Sequence, residues 1–136
     1  MPTLEHRGSN LRISLKALPK EHNEYAGSYR GIELKPTKYK LEYKGVGAGG
    51  VSIAHGVKLP EGKADVMTNF VADAEEGVGL PVLKHFLDNA REKGMRTFVI
   101  KTVLPEENYQ QILDKIEGIN WETISEGKIN HIVVKL

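Results

Sequence analysis

The stretch Phe70-Val71-Ala72-Asp73-Ala74-Glu75-Glu76-Gly77-Val78-Gly79-Leu80-Pro81-Val82-Leu83 decides how this chain folds. An apolar run of strand character gives way to acidic residues, then to Gly77-Val78-Gly79, and a helical pattern starts at once. Glycines let the backbone curl so that successive amide hydrogens point to one spot. The positive end of a helix behind them completes an anion site that needs no basic side chain. The plainer reading of the same glycines is a tight strand-to-helix turn. The elements on either side separate the two.

Toward the C-terminus, Leu80 to Lys93 reads as a helix. Leu83, Phe86, Leu87 and Ala90 recur at i, i+3, i+4 and i+7 and share one face. Pro81 is tolerated because amides of the first turn lack intrahelical partners. Gly94 closes the helix, with Arg91 and Lys93 near its negative end. Arg96 to Val103 then reads as a buried strand. Leu104-Pro105 opens a second helix, Tyr109, Ile112, Leu113 and Ile116 supply its apolar stripe, and Gly118 stops it. Trp121 to Ile124, the turn Ser125-Glu126-Gly127 and Ile129 to Lys135 form a terminal hairpin.

Toward the N-terminus the chain reads as strands. Leu11 to Leu15 alternates apolar and polar residues. Residues 19–31 hold Pro19, Gly27 and Gly31 with little periodicity and read as loop with room for a short helix. Strands follow near Tyr39 to Lys44, over Gly50 to His55 or a little beyond, and over Ala64 to Val71, with a turn at Pro60-Glu61-Gly62 before the last. The order is four strands, helix, strand, helix, two strands. This predicts an α+β fold with a mixed, mainly antiparallel sheet of six to seven strands and two main helices.

The 136 residues suit one domain, with 1–63 as a variable, strand-rich half and 64–136 as its core. With 40% hydrophobic and 27% charged residues, the composition is that of a globular protein. No cysteine is present, which excludes disulfides, a thiolate metal site and a cysteine nucleophile. The start, Met1-Pro2-Thr3-Leu4-Glu5-His6-Arg7, has no secretory pattern, and no apolar run is long enough to span a bilayer, so a cytoplasmic location and no membrane partner are expected. A net charge of +1 gives no general attraction to nucleic acid. The halves differ, however: residues 1–60 carry 10 Lys/Arg against 5 Asp/Glu, and residues 61–136 carry 9 against 13. A basic first half suits an acidic partner or a phosphate-bearing ligand, or is an ordinary solvated surface.

The series from about residue 64 to residue 136 resembles the GNAT (GCN5-related N-acetyltransferase) family. There a strand ends in Arg/Gln-x-x-Gly-x-Gly/Ala and leads into a helix, followed by a strand, a second helix and a terminal hairpin. Gly77-Val78-Gly79 matches the glycines, Leu83 to Gly94 looks like the family helix, and Arg96 to Val103 like the strand after it. The resemblance implies acetyl-CoA as cosubstrate. Backbone amides of Glu76, Gly77, Val78, Gly79 and Leu80 would take the coenzyme A pyrophosphate. The edge of Phe70, Val71 and Ala72 would pair with the pantetheine arm, in a splay between the fourth and fifth strands. It implies direct acyl transfer to an amine, carried by a small molecule or a protein, after a base removes the amine proton. Asp65, on the strand where the family often places a carboxylate base, is the first candidate. His55, at the end of the preceding strand, is the second, because the imidazole is the side chain suited to proton transfer at neutral pH.

The sequence departs from the family pattern in three places. Ala74 stands at the Arg/Gln position, Glu75 and Glu76 bring negative charge to the pyrophosphate site, and Asp114 stands where a tyrosine often donates a proton to the departing thiolate. The two helices usual after the first strand look shortened or lost in residues 16–37. These departures support an alternative: a catalytically inactive GNAT-like scaffold that binds a protein partner as an inhibitor or immunity-type module. The exposed edge of the terminal hairpin is also a place where two copies can pair as a homodimer.

Gly45-Val46-Gly47-Ala48-Gly49-Gly50 satisfies G-x-G-x-x-G, but a strand follows it where a dinucleotide site needs a helix; it reads as a flexible hairpin turn. Histidines 6, 22, 55, 85 and 131 lack metal-ligand spacing, so no metal is expected. Tyr39 and Tyr43 interleave with lysines in Lys35 to Lys44, a pattern able to stack bases but more often an exposed sheet face.

Overall fold

The computed structural model describes residues 3–5, 12–18, 27–43, 46–72 and 79–136. The elements, in chain order, are β1 (Thr3–Glu5), β2 (Arg12–Ala17), β3 (Ser28–Tyr29), β4 (Ile32–Glu33), β5 (Thr37–Tyr43), β6 (Val46–Leu59), β7 (Gly62–Ala72), α1 (Gly79–Glu92), β8 (Thr97–Thr102), α2 (Glu107–Leu113), β9 (Asn120–Glu126) and β10 (Ile129–Lys135). Eight strands form one sheet in the order β1-β2-β5-β6-β7-β8-β10-β9, and β3 and β4 pair separately. The β7–β8 pair is parallel and every other pair described is antiparallel. A parallel pair needs a crossover, and α1 provides it. The expected α+β architecture with a mixed, mainly antiparallel sheet is therefore observed, widened by the three-residue edge strand β1, which is too short to leave a pattern.

Side-chain alternation sorts the core into two faces. On one, Val82, Leu83, Phe86, Leu87 and Ala90 of α1 and Tyr109 and Leu113 of α2 bury against Leu41, Val51, Ile53, Met67, Phe98, Ile100, Ile132 and Val134. This stripe is the one expected from the 3.6-residue period, joined by Val82. On the other face, Tyr29 and Leu34 cover Ala54, Val57, Ala64, Val66 and Val99. The β3–β4 hairpin is held there by Lys101, whose Nζ donates to the Ser28 carbonyl at 2.8 Å, and by an Arg30–Glu61 ion pair. His131 is buried on this face with its ring 5.2 Å from that of Tyr29.

Three expectations need correction. Val46 to Gly50 is part of β6 and pairs with β5, so most of the glycine run is strand and not turn; a register shift between Leu41 and Glu42 absorbs its irregularity. Helix α2 ends at Leu113, with turns on to Gly118: the Lys115 and Ile116 amides bond three residues back, to Ile112 and Leu113, while Ile116 still packs on the core. Within 19–31, residues 28–29 form β3 instead of loop or helix, while 19–26 lie outside the described residues.

Candidate functional site

The site is positioned by two breaks in strand register. In the first, β6 and β7 pair Ser52 with Asn69 and then Ile53 with Met67, so Thr68 is an extra residue on β7. A bulge of this kind bends its strand and strengthens local twist. The parallel β7–β8 pairing runs from Ala64↔Thr97 to Met67↔Ile100 and stops at that point. Beyond it, β8 stays with β10 through Lys101↔His131 and Thr102↔Asn130, while β7 stays with β6 through Ala72↔Gly49. The two central strands thus part at Thr68. Phe70, Val71 and Ala72 keep their β6 partners and have no ladder partner on the β8 side.

Helix α1 begins at Gly79, so Gly79 and Leu80 form its first turn at the open end of this splay. Gly79 also has a packing reason to be glycine: a Cβ there would lie 2.9 Å from Ile112 Cδ1 of α2. Glu76, Gly77 and Val78, and the departing residues Ala74 and Glu75, lie outside the described residues. Asp114 is the exposed C-cap of α2. Tyr109 is buried in the core, where burial pushes its phenol up against a smaller opposing effect of the Thr102 hydrogen bond.

The second register break brings both candidate bases together. Strands β6 and β7 pair Ala54 with Val66 and then Val57 with Ala64, so His55 and Gly56 together face Asp65. Gly56 adopts φ +65°, a left-handed conformation that residues with a Cβ rarely take. This turn lets its amide donate to Asp65 Oδ1 at 2.9 Å, while His55 Nδ1 lies 3.1 Å from Asp65 Oδ2. The carboxylate is 0% exposed and the His55 side chain 24%. Burial pushes the Asp65 carboxyl up, but the hydrogen bonds from His55 and Gly56 and the positive charges of His55 and Lys93 outweigh it, leaving it below its ordinary value. An ionised Asp65 only accepts, so the proton of a neutral His55 belongs on Nδ1 and a lone pair remains on Nε2.

That lone pair faces Tyr39, whose hydroxyl is 2.6 Å from Nε2. The Tyr39 ring is braced edge-on against Phe86, with centroids 5.2 Å apart. Burial and the Asp65 charge both push the phenol up, which keeps it protonated and donating. The sequence marked Tyr39 only as an aromatic able to stack or to line an exposed sheet face, not as a partner of His55. Its alternation with Leu41, a core residue, is the signal that places it on the inner face.

The two candidate bases differ in access. Asp65 has both oxygens hydrogen-bonded and no exposure, whereas His55 is partly open. Among the described residues no cluster of metal-ligating side chains occurs, and no helix is long and apolar enough to cross a membrane.

No protein-family model and no curated protein matches the chain. Solved structures do. An IAA acetyltransferase from Bacillus cereus ATCC 14579 superposes with a TM-score of 0.58 at 16% identity, covering 91% of this chain and 99% of that one. Arabidopsis thaliana Naa50, solved with the bisubstrate analogue CoA-Ac-MVNAL, gives 0.59 at 15% identity, covering 91% and 98%. The GNAT domain of S. lividans PAT gives 0.58 at 14% identity, covering 95% and 92%. The chain has the GNAT fold. The likeness extends well into the first half, beyond the 64–136 core on which the sequence resemblance rested. Of residues 16–37, where the helices usual after the first strand were expected to be shortened or lost, 28–29 and 32–33 form the β3–β4 hairpin and 19–26 lie outside the described residues.

Proposed function

We propose that the protein is a GNAT-like N-acyltransferase that moves an acetyl group from acetyl-CoA to an amine. The observation that carries this reading is the parting of β7 and β8 at Thr68, on the strand that precedes α1. An extended thioester arm laid in the splay can pair with the unpartnered edge of Phe70, Val71 and Ala72, as a strand would. The family resemblance assigns the pyrophosphate to the backbone amides of Glu76 to Leu80, of which Gly79 and Leu80 form the first turn of α1. His55 accepts the proton of the attacking amine, and Asp65 holds the ring and stabilises the imidazolium that results. An acceptor amine reaches Nε2 by taking the place of the Tyr39 hydroxyl or by acting through it. The acceptor class remains a small-molecule or protein amine.

Calorimetric titration with acetyl-CoA, repeated with Gly77→Glu, tests the cleft. Micromolar binding that the substitution removes is the expected result. Absence of heat from a folded protein would overturn the reading and turn attention to the inactive scaffold with a protein partner.

A further inference from the structure

The hydroxyl of Tyr39, the imidazole of His55 and the carboxylate of Asp65 form a nucleophile–base–orienter chain, with gaps of 2.6 and 3.1 Å. We propose that Tyr39 is a nucleophile that takes an acyl group from small activated esters and thioesters, and holds it as an acyl-tyrosine. The signature is the general one for an activated hydroxyl: a base within hydrogen-bond reach and a third group that fixes the base. Asp65 meets the last requirement twice over, because the Gly56 amide pins its other oxygen at 2.9 Å. Tyr39 is held from behind by Phe86, so little freedom is left to the ring. Both Tyr39 and His55 are partly open, which a reacting pair requires and a purely structural bond does not.

The steps balance. The Tyr39 oxygen attacks the carbonyl carbon as its proton passes to His55 Nε2, and the bond to the leaving group breaks. The imidazolium returns that proton to the leaving group or to water. Acylation removes the hydroxyl that covered Nε2, so the neutral ring is then free to take a proton from water or an amine attacking the acyl-tyrosine. The phenol departs with the proton back from His55, and the chain is restored. Leaving-group basicity sets the donor class. A thiolate, with a parent pKa of about 8.5, or a nitrophenolate leaves more readily than a phenolate of about 10, whereas an alkoxide does not. Simple alkyl esters are therefore excluded as donors.

The inference uses the role given above to His55 but not the coenzyme cleft, so the two fail separately. The experiment is incubation with p-nitrophenyl acetate, acid quench, and peptide mapping by mass spectrometry. An early burst of nitrophenolate and one acetyl group on the peptide carrying Tyr39 are expected. Tyr39→Phe, which keeps the ring against Phe86, should lose the burst with an unchanged circular dichroism spectrum. His55→Gln should slow acetylation by about 10²-fold or more. Acetyl groups only on lysines or on His55, or a burst that survives in Tyr39→Phe, would overturn the proposal. The site map on the unaltered protein decides the matter even if a variant fails to fold.

Discussion

Asp65 lies 3.1 Å from His55 across a bulge in which two residues of β6 face one of β7, and it is the fully buried member of the pair. Replacing it by Asn keeps the shape but removes the charge that His55 and the Gly56 amide are arranged around. We expect Asp65→Asn to cost about 1.5–3 kcal/mol, the range for a hydrogen bond to a charged group, as read from urea unfolding at neutral pH. The same substitution should alter the acid limb. The carboxyl sits below its ordinary 3.8 in the folded protein, so its contribution is whole above that value and is lost as pH falls through the lower, folded one. A variant with an unchanged acid limb would show that Asp65 contributes nothing there.

Gly56 supplies the backbone turn on which that arrangement depends. At φ +65° an alanine is strained whatever the space around it, and the nearest atom to an added Cβ, Met95 Cε, is a comfortable 3.8 Å away. The cost is therefore conformational and not steric. Gly56→Ala should destabilise by about 1–2 kcal/mol in urea unfolding, and His55 resonances should shift in NMR spectra as the bulge adjusts. An unchanged midpoint would mean that the left-handed turn is not required.

The fold was legible in the sequence wherever period and punctuation agreed. The apolar stripe of α1, its Gly94 stop, the buried strand after it and the terminal hairpin follow from local rules that tertiary packing reinforces. The glycine-rich start of β6 was misread because glycine marks turns by default, while neighbouring strands can force an extended backbone on it. The site was half legible. Asp65 and His55 were chosen separately, as residue types suited to proton transfer, but their contact depends on a two-against-one register that no periodicity records. Tyr39 was further from view, since its partner on β6 is fixed only once the sheet is assembled.

His85, on the partly open side of α1, carries a different pH signature. Burial holds its imidazole below the ordinary 6.5, although the charges of Asp88 and Glu92 pull the other way. The unfolded chain thus takes up this proton at a higher pH than the folded one. Stability should fall as pH drops through 6.5 and level off below the folded value. His85→Gln should flatten this part of the curve in urea midpoints measured across that interval, and a curve of unaltered slope would remove His85 from the account.

Leu87 is 1% exposed and lies in the middle of the apolar face that α1 presents to the sheet. Leu87→Ala leaves a cavity between α1 and the sheet, so a loss of about 2–5 kcal/mol is expected. Val103 is 72% exposed, and Val103→Ser should stay within about 0.5 kcal/mol. Comparable effects of the two in urea unfolding would contradict the core described for α1.

Gly79 sets two tendencies against each other. In a helix, alanine is better than glycine by up to about 1 kcal/mol, so Gly79→Ala would ordinarily stabilise. Here the added methyl would stand 2.9 Å from Ile112 Cδ1, closer than real side chains approach, and something must shift. The atom in the way is the far end of a flexible side chain, so the movement is modest, and the two effects should nearly cancel in the unaltered background. Ile112→Val removes the obstructing methyl. In that background Gly79→Ala should become stabilising, so that the two substitutions together fare better than the sum of their separate effects, by about 0.5 kcal/mol or more. A double-mutant cycle in urea measures this directly. Strict additivity would mean that the α1 start and α2 do not touch at this point, and that Gly79 is there for the backbone amides alone.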